Sequence, residues 1–129
     1  MATFMKPYEA QTYALVRIIA GFLFFSHGCQ KIFGFPGTMP EGAPPFIIYG
    51  AGSIELIGGF LIMIGLFTSW AAFICSGEMA VAYWMAHGTK ALFPVVNGGE
   101  LAVIYCFVFL FIAAQGAGLW SVDAAQGRA

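Results

Sequence analysis

The sequence predicts an all-α membrane protein, a bundle of four transmembrane helices that forms a single domain of 129 residues. Hydrophobic residues make up 60% of the chain and charged residues only 9%, whereas a soluble domain carries about 25% charged residues. The apolar residues fall into long runs that are separated by short stretches rich in Gly, Pro and polar residues. A spanning helix needs roughly 20 apolar residues, so these runs use up most of the chain.

The first half of the chain reads as one helical hairpin. The first predicted span covers residues 12–33 and ends at residues 34–45, which are too rich in Pro and Gly to continue a helix. The second predicted span covers residues 46–67 and contains several glycines of the kind that let membrane helices pack closely. A short turn at residues 68–69 then leads into the second half.

The second half repeats this plan. The third predicted span covers residues 70–86, a loop covers residues 87–97, and the fourth span covers residues 98–119. Four spans place both long loops on one side of the membrane and both termini on the other. Basic residues are slightly more numerous near the termini than near the loops, so the positive-inside rule favours cytoplasmic termini.

Net charge and cysteine content exclude other classes of protein. The net charge is −1, and no basic stripe of a nucleic-acid binder is present in the sequence. The cysteines Cys29, Cys75 and Cys106 form no CxxC pair, so the sequence predicts neither a dithiol redox site nor a disulfide framework.

The expected partners of the chain are the lipid bilayer and other membrane protein subunits or further copies of this chain.

The two halves of the chain share an ordered pattern. In each, His-Gly occurs near the end of a span, a Lys, a Phe and a Pro follow, and Gly precedes Glu-Leu in the next span. The matching positions are His27 with His87 and Glu55 with Glu100. This pattern predicts two related hairpins that cross the membrane in the same sense, as parallel repeats do.

Several ionisable residues lie where water is scarce. At a rise of about 1.5 Å per residue, His27 lies roughly 9 Å inside the end of the first span. Lys31, Glu55, Glu100 and His87 fall in the same half of the bilayer. Because intramembrane ionisable groups normally face the bundle interior and mark functional sites, we expect these side chains to converge.

Structural roles compete with this hypothesis for some of these residues. Lys31 can extend its amine to the membrane surface, and Glu100 in a first helical turn favours the helix dipole. Arg17 and Glu78 lie at similar depths in the first and third spans. They are predicted to form a structural ion pair, since an unpaired charge in hydrocarbon is costly.

Three chemistries fit the polar cluster. A His or Lys side chain can donate a hydrogen bond to a quinone carbonyl while Glu relays protons. The set His27, Glu55, Glu100 and His87 supplies N and O ligands that suit a transition metal. A chain of carboxylates could also conduct protons or a small solute. His27 and Glu55 are the candidate catalytic residues, because both lie inside apolar runs.

At these residues the chain resembles the DoxX family of small bacterial membrane proteins. The matching residues are Arg17, Gly21, His27-Gly28, Lys31, Phe33-Gly34, Glu55, Gly58-Gly59 and Asn97-Gly98-Gly99-Glu100. The resemblance extends over essentially the whole chain. It implies a four-helix protein of the bacterial inner membrane, labelled as an oxidoreductase subunit, with His27, Lys31, Glu55 and Glu100 at the matching site positions. The related DoxD branch is associated with thiosulfate:quinone oxidoreduction.

The predicted function is therefore that of a membrane subunit of an oxidoreductase system, with a quinone or a transition metal bound at the His/Glu cluster. The sequence carries no flavin or haem signature. One alternative is a non-enzymatic accessory subunit that packs against a larger, respiratory-type membrane complex. A weaker alternative is a small transporter or proton pathway.

Overall fold

A computed structural model describes residues 3–37 and 42–128, and within these residues the chain is helical and contains no β-strand. This confirms the predicted all-α class. A 3₁₀ turn precedes α1, and a π-helical segment leads directly into α2. The helices are, in order, the 3₁₀ turn Lys6–Tyr8, α1 Glu9–Phe33, the π-helical segment Phe46–Ala51, α2 Gly52–Ile64, α3 Thr68–Ala86, α4 Pro94–Asn97, α5 Glu100–Gln115 and α6 Val122–Ala125.

Among the described residues, two helical segments are long and apolar enough to cross a membrane, namely Lys6–Phe33 and Phe46–Ile64. The segment Glu100–Gln115 is apolar but shorter. It falls short of the predicted span 98–119 because Gly98, at φ 80°, separates it from α4, and because the helix ends at Gln115. Four membrane crossings therefore stay a prediction. Part of the predicted first loop, residues 38–41, lies outside the described residues.

The four long helices pack as two antiparallel pairs. α1 lies along α2, α3 lies along α5, and α2 also contacts α3. The first pair can approach closely because glycines face the partner backbone. A Cβ atom on Gly28 would collide with the backbone of Leu56, and one on Gly59 would collide with that of Phe25. This pairing agrees with the hairpins expected from the sequence.

The core of the bundle is aromatic at its centre. Phe24 of α1 packs edge-on against Phe109 of α5, with 4.8 Å between the ring centroids, and Tyr105 stacks on Phe109 at 5.5 Å. Ile62 and Ile112 are fully buried in the same cluster. These side chains bring α5 against α1, although the two helices contact each other far less than the paired helices do.

The chain after α5 folds back over the end of the bundle. The fully buried Arg17 guanidinium donates hydrogen bonds to four backbone carbonyls that belong to two segments of the chain. The acceptors are Ile62, Ala117, Leu119 and Trp120. The sequence predicted an ion pair between Arg17 and Glu78, and this prediction is wrong because Arg17 bonds these carbonyls instead. Carbonyl dipoles near the ends of α2 and α5 compensate its charge instead.

Candidate functional site

An ion pair joins the two helices of the first hairpin. Lys31, in the last turn of α1, lies 2.8 Å from Glu55 of α2, measured from Nζ to Oε1. The two side chains are 13% and 3% exposed. Because the π-helical segment runs into α2 without a break, Glu55 lies well inside a continuous helical stretch rather than at its start. The two charges thus lie in apolar surroundings, where either charge without the other would be strongly destabilising.

A cavity of about 240 Å³ opens beside this ion pair, between α1, α2, α3 and α5. Its polar lining comes from His27, Lys31, Glu55 and His87. The remaining lining residues are Phe24, Met79, Ala82, Ala86, Gly98, Leu101, Ala102 and Tyr105. A mostly apolar wall with a few polar groups on one side is typical of a site for a small organic ligand.

His27 faces this cavity from α1, one helical turn before Lys31. Its ring lies edge-on to Tyr105, at 6.0 Å between centroids. The side chain is partly buried, and in the described part of the chain no hydrogen bond engages the imidazole. Both ring nitrogens can therefore bond a ligand, and the imidazole can either donate or accept a hydrogen bond.

Glu78 of α3 adds a second carboxyl group to the pair. It interacts electrostatically with Glu55 and with Lys31, and its Oε2 atom is buried without a hydrogen-bond partner. Two carboxyl groups and one ammonium therefore lie close together in apolar surroundings, where an unpaired charge is costly.

His87 is held in place by the loop after α3. Its Nδ1 lies 3.1 Å from the carbonyl oxygen of Asn97, and since a carbonyl only accepts, Nδ1 donates this hydrogen bond. The Asn97 amide donates to the Tyr83 hydroxyl at 2.8 Å and to the Ala91 carbonyl at 3.1 Å. This network fixes the loop beside the cavity.

The predicted four-residue metal site is not assembled. Glu100 is the first residue of α5, is exposed, and does not line the cavity. Within residues 3–37 and 42–128, no three His, Cys, Asp or Glu side chains are grouped so that they could hold a metal ion. The sequence repeat suggested that Glu100 matches Glu55, but their positions within their helices differ.

Tyr105 is the residue that sequence reasoning missed. It lines the cavity, contacts His27 and is only 6% exposed. A tyrosine within an apolar run is an ordinary core residue, so the composition of the run does not indicate that Tyr105 lines a cavity. Its spacing of four residues from Phe109, which is fully buried, does place it on the inward face of the helix.

Comparison with known proteins assigns the chain to a family. The DoxX family model matches residues 12–88, which cover most of α1 and all of α2 and α3. The matched range includes His27, Lys31 and Glu55 but not Glu100. The chain belongs to the DoxX family. This confirms the resemblance seen in the sequence.

Relatives of this DoxX protein include proteins from several bacteria. It is 39% identical to an uncharacterized protein of Haemophilus influenzae, over 92% of this chain and 93% of the relative. It is 43% identical to the "Putative oxidoreductase CatD" of Bacillus subtilis over 49% of each chain. It is 28% identical to the "Inner membrane protein YqjF" of Escherichia coli, over 92% of this chain and 95% of the relative. No solved structure matches the chain.

Proposed function

We propose that this DoxX protein is a membrane subunit of an oxidoreductase system and that it binds a quinone head group in the polar cavity between α1, α2, α3 and α5. The observation that carries the proposal is the combination, at one cavity, of the buried Lys31–Glu55 ion pair and the His27 imidazole, which bonds no other side chain or backbone group among the described residues. The oxidoreductase name of the relative CatD supports the same reaction class.

The residues fit the chemistry of a quinone. Quinone carbonyls only accept hydrogen bonds, and the Lys31 ammonium has three protons, of which the bond to Glu55 uses one. His27 can donate to the second carbonyl, and the Tyr105 and Phe24 side chains offer flat apolar walls. Quinone reduction takes two electrons, which would come from another subunit of the oxidoreductase system, and two protons. The carboxyl group of Glu55 at the cavity wall, with that of Glu78 next to it, could pass these protons to the ring oxygens.

The proposed setting is the bacterial inner membrane, with four crossings made by α1, the segment Phe46–Ile64, α3 and α5. The apolar composition and the two helical segments of spanning length support it. The name of the relative YqjF, which this chain matches over 92% of its length, supports the inner membrane. Cytoplasmic termini follow from the distribution of basic residues.

Binding of a tail-less benzoquinone to the purified protein tests this function. The probe is 2,3-dimethoxy-5-methyl-1,4-benzoquinone, titrated against the intrinsic fluorescence of the protein in nanodiscs. His27→Phe keeps an aromatic ring but removes both nitrogens, and it breaks no hydrogen bond of the described fold. Loss of one hydrogen bond to the ligand weakens binding roughly tenfold.

Lys31→Met should weaken binding by a similar or larger factor, because it removes the only cation of the cavity wall among the described residues. The matched control is Lys90→Met, since Lys90 is exposed and lies outside the cavity lining. Equal affinity in the wild type, His27→Phe and Lys31→Met overturns the proposed site. No binding to the wild type overturns the function and favours an accessory subunit that packs against a larger membrane complex.

A further inference from the structure

A second, larger groove lies along the outside of the bundle between α1 and α5. Its volume is about 440 Å³, and its walls are almost wholly apolar. It exists because α1 pairs with α2 and α5 pairs with α3, which leaves α1 and α5 loosely packed against each other. Side chains such as Ile19, Leu23 and Ile104 line it and remain about half exposed.

The groove and the polar cavity are neighbours that share walls. Tyr105 and Leu101 line both of them. Leu23 lines the groove and also a shallow pocket that reaches His27. A molecule in the polar cavity can therefore extend past Tyr105 into the groove without leaving the protein surface.

We infer that the ligand of this protein is a quinone with a long isoprenoid tail, and that the tail lies in the groove between α1 and α5 and passes beside Tyr105. This inference rests on the proposed quinone function and specifies its substrate class. The ligand enters sideways from the lipid, since the groove faces outward along the length of both helices.

The adjoining cavity favours this occupant over a phospholipid. A phospholipid acyl chain could fill an apolar groove, but its charged headgroup would then have to leave the membrane surface. His27 lies six residues before the end of α1, which is roughly 9 Å along the helix. Moving a phosphate to that depth is costly, whereas an uncharged quinone ring with two carbonyls matches both the size and the donors of the cavity.

Filling the groove provides the test. Ala20 lines the groove and is partly buried, so Ala20→Phe occupies the path of the tail and leaves the polar residues in place. The matched control is Ala80→Phe, because Ala80 lines a different apolar groove, between α3 and α5. Ile104→Trp is a second groove variant, and since Ile104 is 58% exposed, the fold tolerates a larger side chain there.

Two probes are compared in nanodiscs for every variant, the tail-less benzoquinone and the same ring with two isoprenyl units. Partition into nanodisc lipid is the same for all variants, so the ratio of apparent affinities between variants reports on the protein. Ala20→Phe and Ile104→Trp should weaken the tailed probe about tenfold, the usual cost of overpacking. The tail-less probe should bind unchanged, and Ala80→Phe should affect neither probe.

The outcomes separate this inference from the proposed function. If both probes bind and neither groove variant discriminates between them, the tail does not lie in this groove and the head-group site stands. If mass spectrometry finds that Ala20→Phe releases a phospholipid rather than a quinone, the groove is a lipid site and the inference is wrong. If neither probe binds the wild type, the proposed function itself fails.

Discussion

Lys31 and Glu55 form an ion pair with 2.8 Å between Nζ and Oε1, and it fastens the end of α1 to α2. The side chains are 13% and 3% exposed, so the pair is largely closed to solvent. Breaking such a pair from one side leaves an uncompensated charge in apolar surroundings. Lys31→Met should lower the free energy of unfolding by about 3–5 kcal/mol, as measured in mixed micelles by titration with sodium dodecyl sulfate.

Substitution of the other partner, Glu55→Leu, should lower the free energy of unfolding by less than Lys31→Met does. After Glu55→Leu, Lys31 still interacts with the carboxyl group of Glu78, whereas after Lys31→Met both carboxyl groups lose the ammonium that they share. The double variant Lys31→Met/Glu55→Leu should be more stable than the sum of the two single losses predicts. Additive losses in this cycle would show that the two side chains do not stabilise each other.

Arg17 holds the segment after α5 to the bundle. Its guanidinium bonds the carbonyls of Ile62, Leu119 and Trp120 at 3.1, 2.8 and 2.7 Å and also bonds that of Ala117. Arg17→Leu leaves these carbonyls without donors, and we expect a loss of roughly 3 kcal/mol or more in the same titration.

The controls for Arg17 distinguish carbonyl binding from a charge pair. Arg17→Lys should lose part of the stability, because an ammonium cannot reproduce the planar fork. Glu78→Leu should change stability by the same amount in the Arg17→Leu variant as in the wild type, and so give no specific rescue, because Arg17 bonds backbone carbonyls. Lys90→Leu, at an exposed cation, should change stability by less than about 0.5 kcal/mol. Rescue by Glu78→Leu would contradict the observed hydrogen bonds.

Asp123 caps the start of α3 from the C-terminal segment. Its carboxylate accepts hydrogen bonds from the backbone N–H groups of Phe67 and Thr68, each at 3.0 Å, and from the Thr68 hydroxyl. Burial alone would raise the pKa of Asp123. The bonds from Thr68 and Phe67, together with Arg128, outweigh burial and hold the pKa below its usual value of 3.8.

A lowered pKa in the folded state gives a defined sign to the pH dependence. The stabilisation is fully present above the unfolded-state pKa and is lost as the pH falls through the lower folded-state pKa. Melting temperatures of the wild type and Asp123→Asn should therefore differ most near pH 6 and converge below about pH 4. At neutral pH the variant should lose about 1 kcal/mol, as for other lost helix caps. A gap that does not change from pH 6 to pH 3 would contradict this role.

The helices were predictable from the sequence because an apolar run of spanning length satisfies its backbone hydrogen bonds within itself only as a helix. The site was predictable in part: the sequence singled out His27, Lys31 and Glu55, and the structure lines one cavity with all three. It did not reveal that Lys31 pairs with Glu55, since partners across helices depend on rotation and register. Glu100 was included because its motif repeats that of Glu55, but it opens its helix and is exposed.

The partners of Arg17 could not have been predicted in the same way. Backbone carbonyls are present at every residue, so a side chain that bonds them leaves no pattern in the sequence. The search for an opposite charge pointed to Glu78, the nearest candidate by depth. The turn after α5 instead presents its carbonyls to the guanidinium, and that turn has no periodicity from which its path could be read.

Close contact between α1 and α2 leaves no room for a side chain at Gly28. A Cβ atom on Gly28 would overlap the backbone of Leu56, which cannot move without separating the helices. Gly28→Ala should therefore destabilise the protein by about 1–3 kcal/mol or more, and it should also disturb the Lys31–Glu55 pair nearby.

The matched control is Gly77→Ala in α3, where a new Cβ meets no atom within 4 Å. Alanine is the better helix former, so this variant should be unchanged or more stable by up to about 1 kcal/mol. Both substitutions add the same methyl group to a helix, and only the facing surface differs. If both raised stability equally, α1 and α2 could not be packed as closely as the Gly28–Leu56 contact requires.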